Sequence, residues 1–119
     1  MLNDATCFQN VYIVCGYTDL RSGIDKLASI IEQQTGKSPF VPDTLYLFCG
    51  RKTDRIKGLV WEKDGALLLY KRLEQGKFQW PRSASEVQTL TPKQFRWLME
   101  GLTITPSRTV REVSPEHVA

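Results

Sequence analysis

The stretch Arg55-Ile56-Lys57-Gly58-Leu59-Val60-Trp61-Glu62-Lys63-Asp64-Gly65-Ala66-Leu67-Leu68-Leu69-Tyr70-Lys71-Arg72-Leu73 decides the fold. Two apolar-rich runs flank Asp64-Gly65, a dipeptide suited to a two-residue hairpin turn. Residues 55–62 and 66–73 therefore read as antiparallel strands. With Asp64-Gly65 as the turn, Lys63 faces Ala66, Trp61 faces Leu68, Leu59 faces Tyr70 and Lys57 faces Arg72. Side chains alternate across a sheet, so the pairing sorts them into two faces. One face carries Ile56, Val60, Leu69 and Leu73, with Gly58 opposite Lys71, and reads as core. The other carries Lys57, Leu59, Trp61, Leu68, Tyr70 and Arg72. It is apolar near the turn and basic at the far end.

The flanking sequence supplies the rest of an α+β domain. Upstream, residues 11–15 and 45–49 are short apolar runs that read as strands. Between them Leu20, Ile24, Leu27 and Ile31 recur at helical spacing, with Thr18 and Asp19 as N-cap candidates and Gly36 as the stop. Downstream, residues 77–81 read as a short extended strand ended by Pro81. Thr91-Pro92 then opens a helix to about Glu100, with Phe95, Leu98 and Met99 as its apolar stripe. The expected architecture is a mainly antiparallel sheet of about four to five strands. A helix from the N-terminal half packs on it, and a short helix closes the C-terminal half. Residues 1–102 form one domain on this reading, and residues 103–119, rich in Pro, Ser and Thr, read as a flexible tail.

Composition excludes several functions. The chain has 119 residues, 41% hydrophobic and 24% charged, as in a soluble single domain. It holds no apolar run long enough to span a membrane and no secretory start, so a cytoplasmic location without membrane contact is expected. Cys7, Cys15 and Cys49 are odd in number and form no CxxC pair, which speaks against a disulfide framework or a zinc site. The lone histidine, His117, leaves no base for a Ser-His or Cys-His centre. No glycine-rich phosphate loop is present. No cofactor is expected. The carboxylates have turn and capping roles, so a small metal-dependent nuclease stands only as a third reading.

Charge distribution is more informative than net charge. Residues 51–82 hold nine basic and four acidic residues, so this window carries +5 while the whole chain carries +3. Arg51, Lys52, Arg55, Lys57, Lys71, Arg72, Lys77 and Arg82 are therefore the candidate phosphate contacts. Trp61, Tyr70 and Trp80 are candidates for stacking on bases or anchoring a protein interface.

Longer patterns resemble a known family. Gly16-Tyr17-Thr18-Asp19-Leu20-Arg21-Ser22-Gly23-Ile24-Asp25 is similar to the opening of the TnpB-type accessory proteins of the insertion-sequence-66 family. The central block matches more specifically, through Asp54-Arg55-Ile56-Lys57, Trp61, Asp64-Gly65, Tyr70-Lys71-Arg72-Leu73-Glu74, Gly76, Phe78 and Trp80-Pro81. Leu90-Thr91-Pro92, Leu98 and Glu100-Gly101-Leu102 resemble the family's close. Departures are mild, such as Leu20 at a usual methionine and Lys26 at a common glycine. The resemblance implies a non-catalytic accessory protein of bacterial DNA transposition, working beside a separate transposase. It carries no catalytic residues over. Element-end DNA and the transposase are the expected partners. DNA contact through the basic-aromatic sheet is the first reading, and an adaptor that docks on the transposase without touching DNA is the second. The oligomeric state is open.

Overall fold

The computed structural model describes residue 2, residues 7–82 and residues 87–104. It contains β1 (Asn10–Val14), α1 (Ile24–Thr35), β2 (Thr44–Cys49), β3 (Arg55–Glu62), β4 (Gly65–Arg72), β5 (Val87–Leu90) and α2 (Pro92–Met99). One sheet holds all five strands in the order β4-β3-β2-β1-β5. β1 and β2 are parallel, linked across the sheet by α1, and every other neighbour pair is antiparallel. The expected α+β class with a mainly antiparallel sheet is what forms.

The hairpin register differs from the expected one. Glu62 faces Gly65, Leu59 faces Leu68, Lys57 faces Tyr70 and Arg55 faces Arg72. The turn residues are therefore Lys63-Asp64. Gly65 is the first strand residue, and neither turn residue takes a left-handed conformation. The slip moves each pairing by two residues, so the two face sets survive intact. Gly58 now lies opposite Leu69. A Cβ there would come 3.0 Å from Leu45 Cδ1, so glycine is what lets β2 and β3 pack closely on this side.

Both faces are core, which corrects the expectation of one buried and one open face. Leu27, Ala28 and Ile31 of α1 pack with Val14, Tyr46, Phe48 and Leu59 on the first side. Tyr12 and Tyr46 are paired across β1 and β2 there and stack with ring centroids 5.0 Å apart. On the second side, Ile13, Leu45, Leu47, Ile56 and Val60 meet Phe78, Trp80, Phe95 and Leu98. β2 lies in the middle and is buried at all six positions, as a strand covered on both faces must be.

Residues 77–81 form no strand. They are extended and cross the second face on the way from β4 at one edge to β5 at the other. Phe78 and Trp80 alternate into the core, 2% and 5% exposed. The backbone bonds of this segment go to loops instead of a strand: Phe78 N–H donates to Thr53 O, and Pro81 O accepts from Gly16 N–H. The fifth strand is Val87–Leu90.

Helix boundaries follow local chemistry. α1 starts at Ile24 with Gly23 as N-cap and no side-chain cap, because Asp19 is engaged elsewhere. It ends as expected at Gly36, whose φ of 72° suits glycine. α2 has the full capping box, with Thr91 Oγ1 accepting from Gln94 N–H and Gln94 Oε1 accepting from Thr91 N–H. Ile104 is buried beside α2; residues 105–119 of the expected tail lie outside the described residues. Among the described residues no helix is long and apolar enough to cross a membrane.

Candidate nucleic-acid interface

Three segments distant in sequence meet at the end of the sheet where β3 begins. The first is the loop 16–23 after β1. Gly16 turns the chain with φ 81°, and Thr18 N–H donates to Cys49 O, which ties the loop to the end of β2. Asp19 then organises the loop. Its Oδ1 accepts from Arg21 N–H and Arg21 Nε–H, both at 3.0 Å, and its Oδ2 accepts from Arg21 Nη2 at 2.8 Å. The Arg21 hydrogen bonds hold the Asp19 carboxyl well below the usual carboxylate range.

The second segment is the turn 50–54. Thr53 N–H donates to Gly50 O, and Arg51 and Lys52 project from the turn, both exposed. A Cβ on Gly50 would sit 3.2 Å from Leu20 Cδ1, so glycine here lets the two loops touch. The third segment is the open end of the β3–β4 hairpin. Arg55, Lys57, Tyr70 and Arg72 share the α1 side of the sheet, with Arg55 directly opposite Arg72. Like charges so placed repel. Each has an acid beside it: Asp54 Oδ1 lies 3.4 Å from Arg55 Nε, and Glu74 Oε2 lies 3.3 Å from Arg72 Nη2. The Asp54 and Arg55 atoms are shielded from solvent and make no hydrogen bond, so this contact is purely ionic. Lys57 Nζ donates to Ser22 O at 3.0 Å and stands 5.9 Å from the Tyr70 ring centre, fastening the loop to the sheet.

Two adjoining open grooves result. One, of about 430 Å³, runs between residues 17–20 and residues 50–55. The other, of about 610 Å³, is walled by Arg21, Arg55, Lys57, Leu68 and Tyr70. They share Asp19, Leu20 and Arg55. Tyr70 is 54% exposed, a ring face available beside the cations.

Of the candidates read from sequence, Arg51, Lys52, Arg55, Lys57, Tyr70 and Arg72 come together here. Lys71 points to the opposite face, as alternation requires. Lys77 is exposed on the segment that crosses that opposite face, and Arg82 lines neither groove. Trp61 sits toward the turn end of β3 against Phe40, ring centres 5.1 Å apart. Trp80 is no surface residue: its indole N–H donates to Val14 O at 3.0 Å inside the core. Arg21 was missed because helical periodicity counted from Leu20 put it inside the expected helix, whereas α1 begins at Ile24. The two-residue spacing of Asp19 and Arg21, which suits a side-chain-closed turn, is the signal that finds it. Among the described residues no three His, Cys, Asp or Glu side chains gather where they could hold a metal ion.

The family model for IS66 Orf2 like protein matches residues 9–109. Two relatives come from Sinorhizobium fredii (strain NBRC 101917 / NGR234). Uncharacterized protein y4hO is 30% identical over 92 residues, covering 77% of this chain and 79% of that protein. Uncharacterized protein y4jC is 29% identical over 84 residues, 71% of each chain. No solved structure matches. The match spans both helices, all five strands and the loops that build the grooves, so the chain belongs to the IS66 Orf2-like family of insertion-sequence transposition accessory proteins.

Proposed function

We propose that the protein contacts DNA through the paired grooves and performs no strand chemistry itself. The observation that carries this reading is the convergence of Arg21, Arg51, Lys52, Arg55, Lys57 and Arg72, from three separate segments, on one end of one sheet face. Guanidinium and ammonium groups so arranged suit the oxygens of a phosphodiester backbone. Tyr70 adds a face on which a base can stack. The acids at the site support a non-catalytic role: Asp19, Asp54 and Glu74 are each engaged by an arginine. The cutting and joining steps then belong to the separate transposase, a second expected partner beside the element ends.

Binding to element-end and unrelated DNA across a salt series tests the reading. The Arg51→Ala/Lys52→Ala variant is expected to bind more weakly and to lower the log–log salt slope by about 2, roughly one unit per lost phosphate contact. Lys71→Ala/Lys77→Ala, on the other face, is expected to bind as the parent does. Equal losses in both variants would remove the grooves from the interface. Absence of binding at low salt overturns DNA contact in favour of the adaptor that docks on the transposase. DNA cleavage that appears with magnesium or manganese overturns the non-catalytic assignment.

A further inference from the structure

The sheet has two edges, β4 and β5, and they are built differently. β5 has four residues and leads directly into α2. β4 has eight, and its register with β3 runs unbroken from Gly65 to Arg72. Soluble proteins guard long edges with proline, bulges or inward-pointing charges. β4 carries none of these along Gly65–Tyr70. Its apolar side chains also lie on both faces, Leu67 and Leu69 on one and Ala66, Leu68 and Tyr70 on the other, and none is fully buried. Leu67 is 39% exposed. Beside them, on the side away from α1, lies an apolar groove of about 810 Å³ whose walls include Phe8, Val60, Leu67 and Leu69.

We infer that β4 pairs antiparallel with β4 of a second copy of this chain, forming a two-fold dimer with a continuous ten-stranded sheet. Charge along the strand selects the occupant. An acid, Asp64, stands just before β4, and two bases, Lys71 and Arg72, stand at its end. A strand of that polarity complements itself only when antiparallel, because parallel pairing sets like on like.

Charge also selects the register. The two-fold axis must be perpendicular to the sheet, so facing residues come from the same face of each copy. The two registers that pair the most β4 residues are centred on Leu68 or on Leu69. Centring on Leu68 sets Leu67 against Leu69 of the second copy and Asp64 against its Arg72, twice by symmetry. Centring on Leu69 sets Asp64 against Glu74. Opposite charges facing across strands stabilise and like charges destabilise, so the Leu68 register is selected. In that dimer the four leucines at positions 67 and 69 cover one side of the seam. The two Arg55–Lys57–Tyr70 grooves both lie on the other side of the sheet, the α1 side. The inference does not depend on DNA contact.

Sedimentation equilibrium of the full chain at micromolar concentration tests it. The expected particle has twice the 13.6 kDa chain mass. Leu67→Lys is expected to give the single-chain mass. Asp64→Arg and Arg72→Asp change exposed residues, so the fold is kept, as circular dichroism will check. Each is expected to raise the dimer Kd about tenfold, and the double exchange to restore it. A parent that sediments as a single chain overturns the inference. So does a dimer indifferent to the charge exchanges, or one that forms open-ended aggregates. A monomer that acquires a partner only with the transposase present overturns it in favour of a heterologous strand.

Discussion

Single side chains in this protein carry roles set by their depth. Cys15 and Cys49 are buried and Cys7 is exposed, and none of the three is in a disulfide. Burial, with a smaller contribution from the negative Asp54, pushes the Cys49 thiol up to about 12. A thiol so shifted is held as the unreactive acid at neutral pH. Native protein at pH 8 is expected to react with a thiol reagent at Cys7 alone, and at all three positions in denaturant. Counting labelled thiols by mass spectrometry checks this. The sign of the linkage follows from the direction of the shift. An acid whose folded pKa is raised favours folding below its unfolded value, near 9, and that contribution is lost as pH rises toward 12. Asp19 is the opposite case. Its pKa is lowered, so its pairing with Arg21 holds above the usual carboxylate range and fails only as pH falls through strong acid. The pair is solvent-exposed and shapes the loop more than it stabilises the fold.

At the scale of elements, caps separate what is local from what is not. The second helix carries its start signal in Thr91-Pro92 and Gln94, and the structure uses all three. Thr91→Ala is expected to cost about 1 kcal/mol, because it leaves Gln94 N–H without its acceptor. Urea denaturation of the full chain checks the value. Asp19→Ala is expected to leave stability nearly unchanged in the same assay, since Gly23 is the N-cap of α1. The sequence made Thr18 and Asp19 look like caps because capping and loop closure use the same short oxygen-bearing side chains. Only the position of Arg21 in space decides between them. The hairpin shows the same limit. Asp-Gly named the turn to within one residue, but the register came from packing, with Leu69 opposite Gly58 and Leu68 opposite Leu59.

At the scale of the molecule, the chain must carry its last third from one sheet edge to the other. It does so across the second face, and Trp80 is the side chain that seats the crossing. Trp80→Ala is expected to destabilise by about 3–5 kcal/mol through the cavity it leaves. Trp80→Phe is expected to cost less, about 1–2 kcal/mol, mainly from the hydrogen bond lost to Val14 O. Thermal and urea unfolding of the two variants check the order. The same crossing explains why residues 77–81 resemble a strand in sequence. Alternating Phe78 and Trp80 report burial at period two, and burial on top of a sheet has the same period as burial within one.

The sequence by itself determined the strand and helix inventory through β4, the second helix with its cap, the two faces of the hairpin and the family. These follow from side-chain periodicity and short-range hydrogen bonding, which are local. It also marked the basic window from which most of the groove comes. The tertiary structure decided which of those bases share a surface. Lys71 and Arg72 are neighbours in the chain yet lie on opposite faces, while Arg21 and Lys57 are far apart in the chain and wall one groove. The parallel pairing of β1 with β2, the last strand at the far edge and the burial of Trp80 were likewise decided in three dimensions. Each depends on contacts between residues distant in sequence, whose energy is realised only when the layers close.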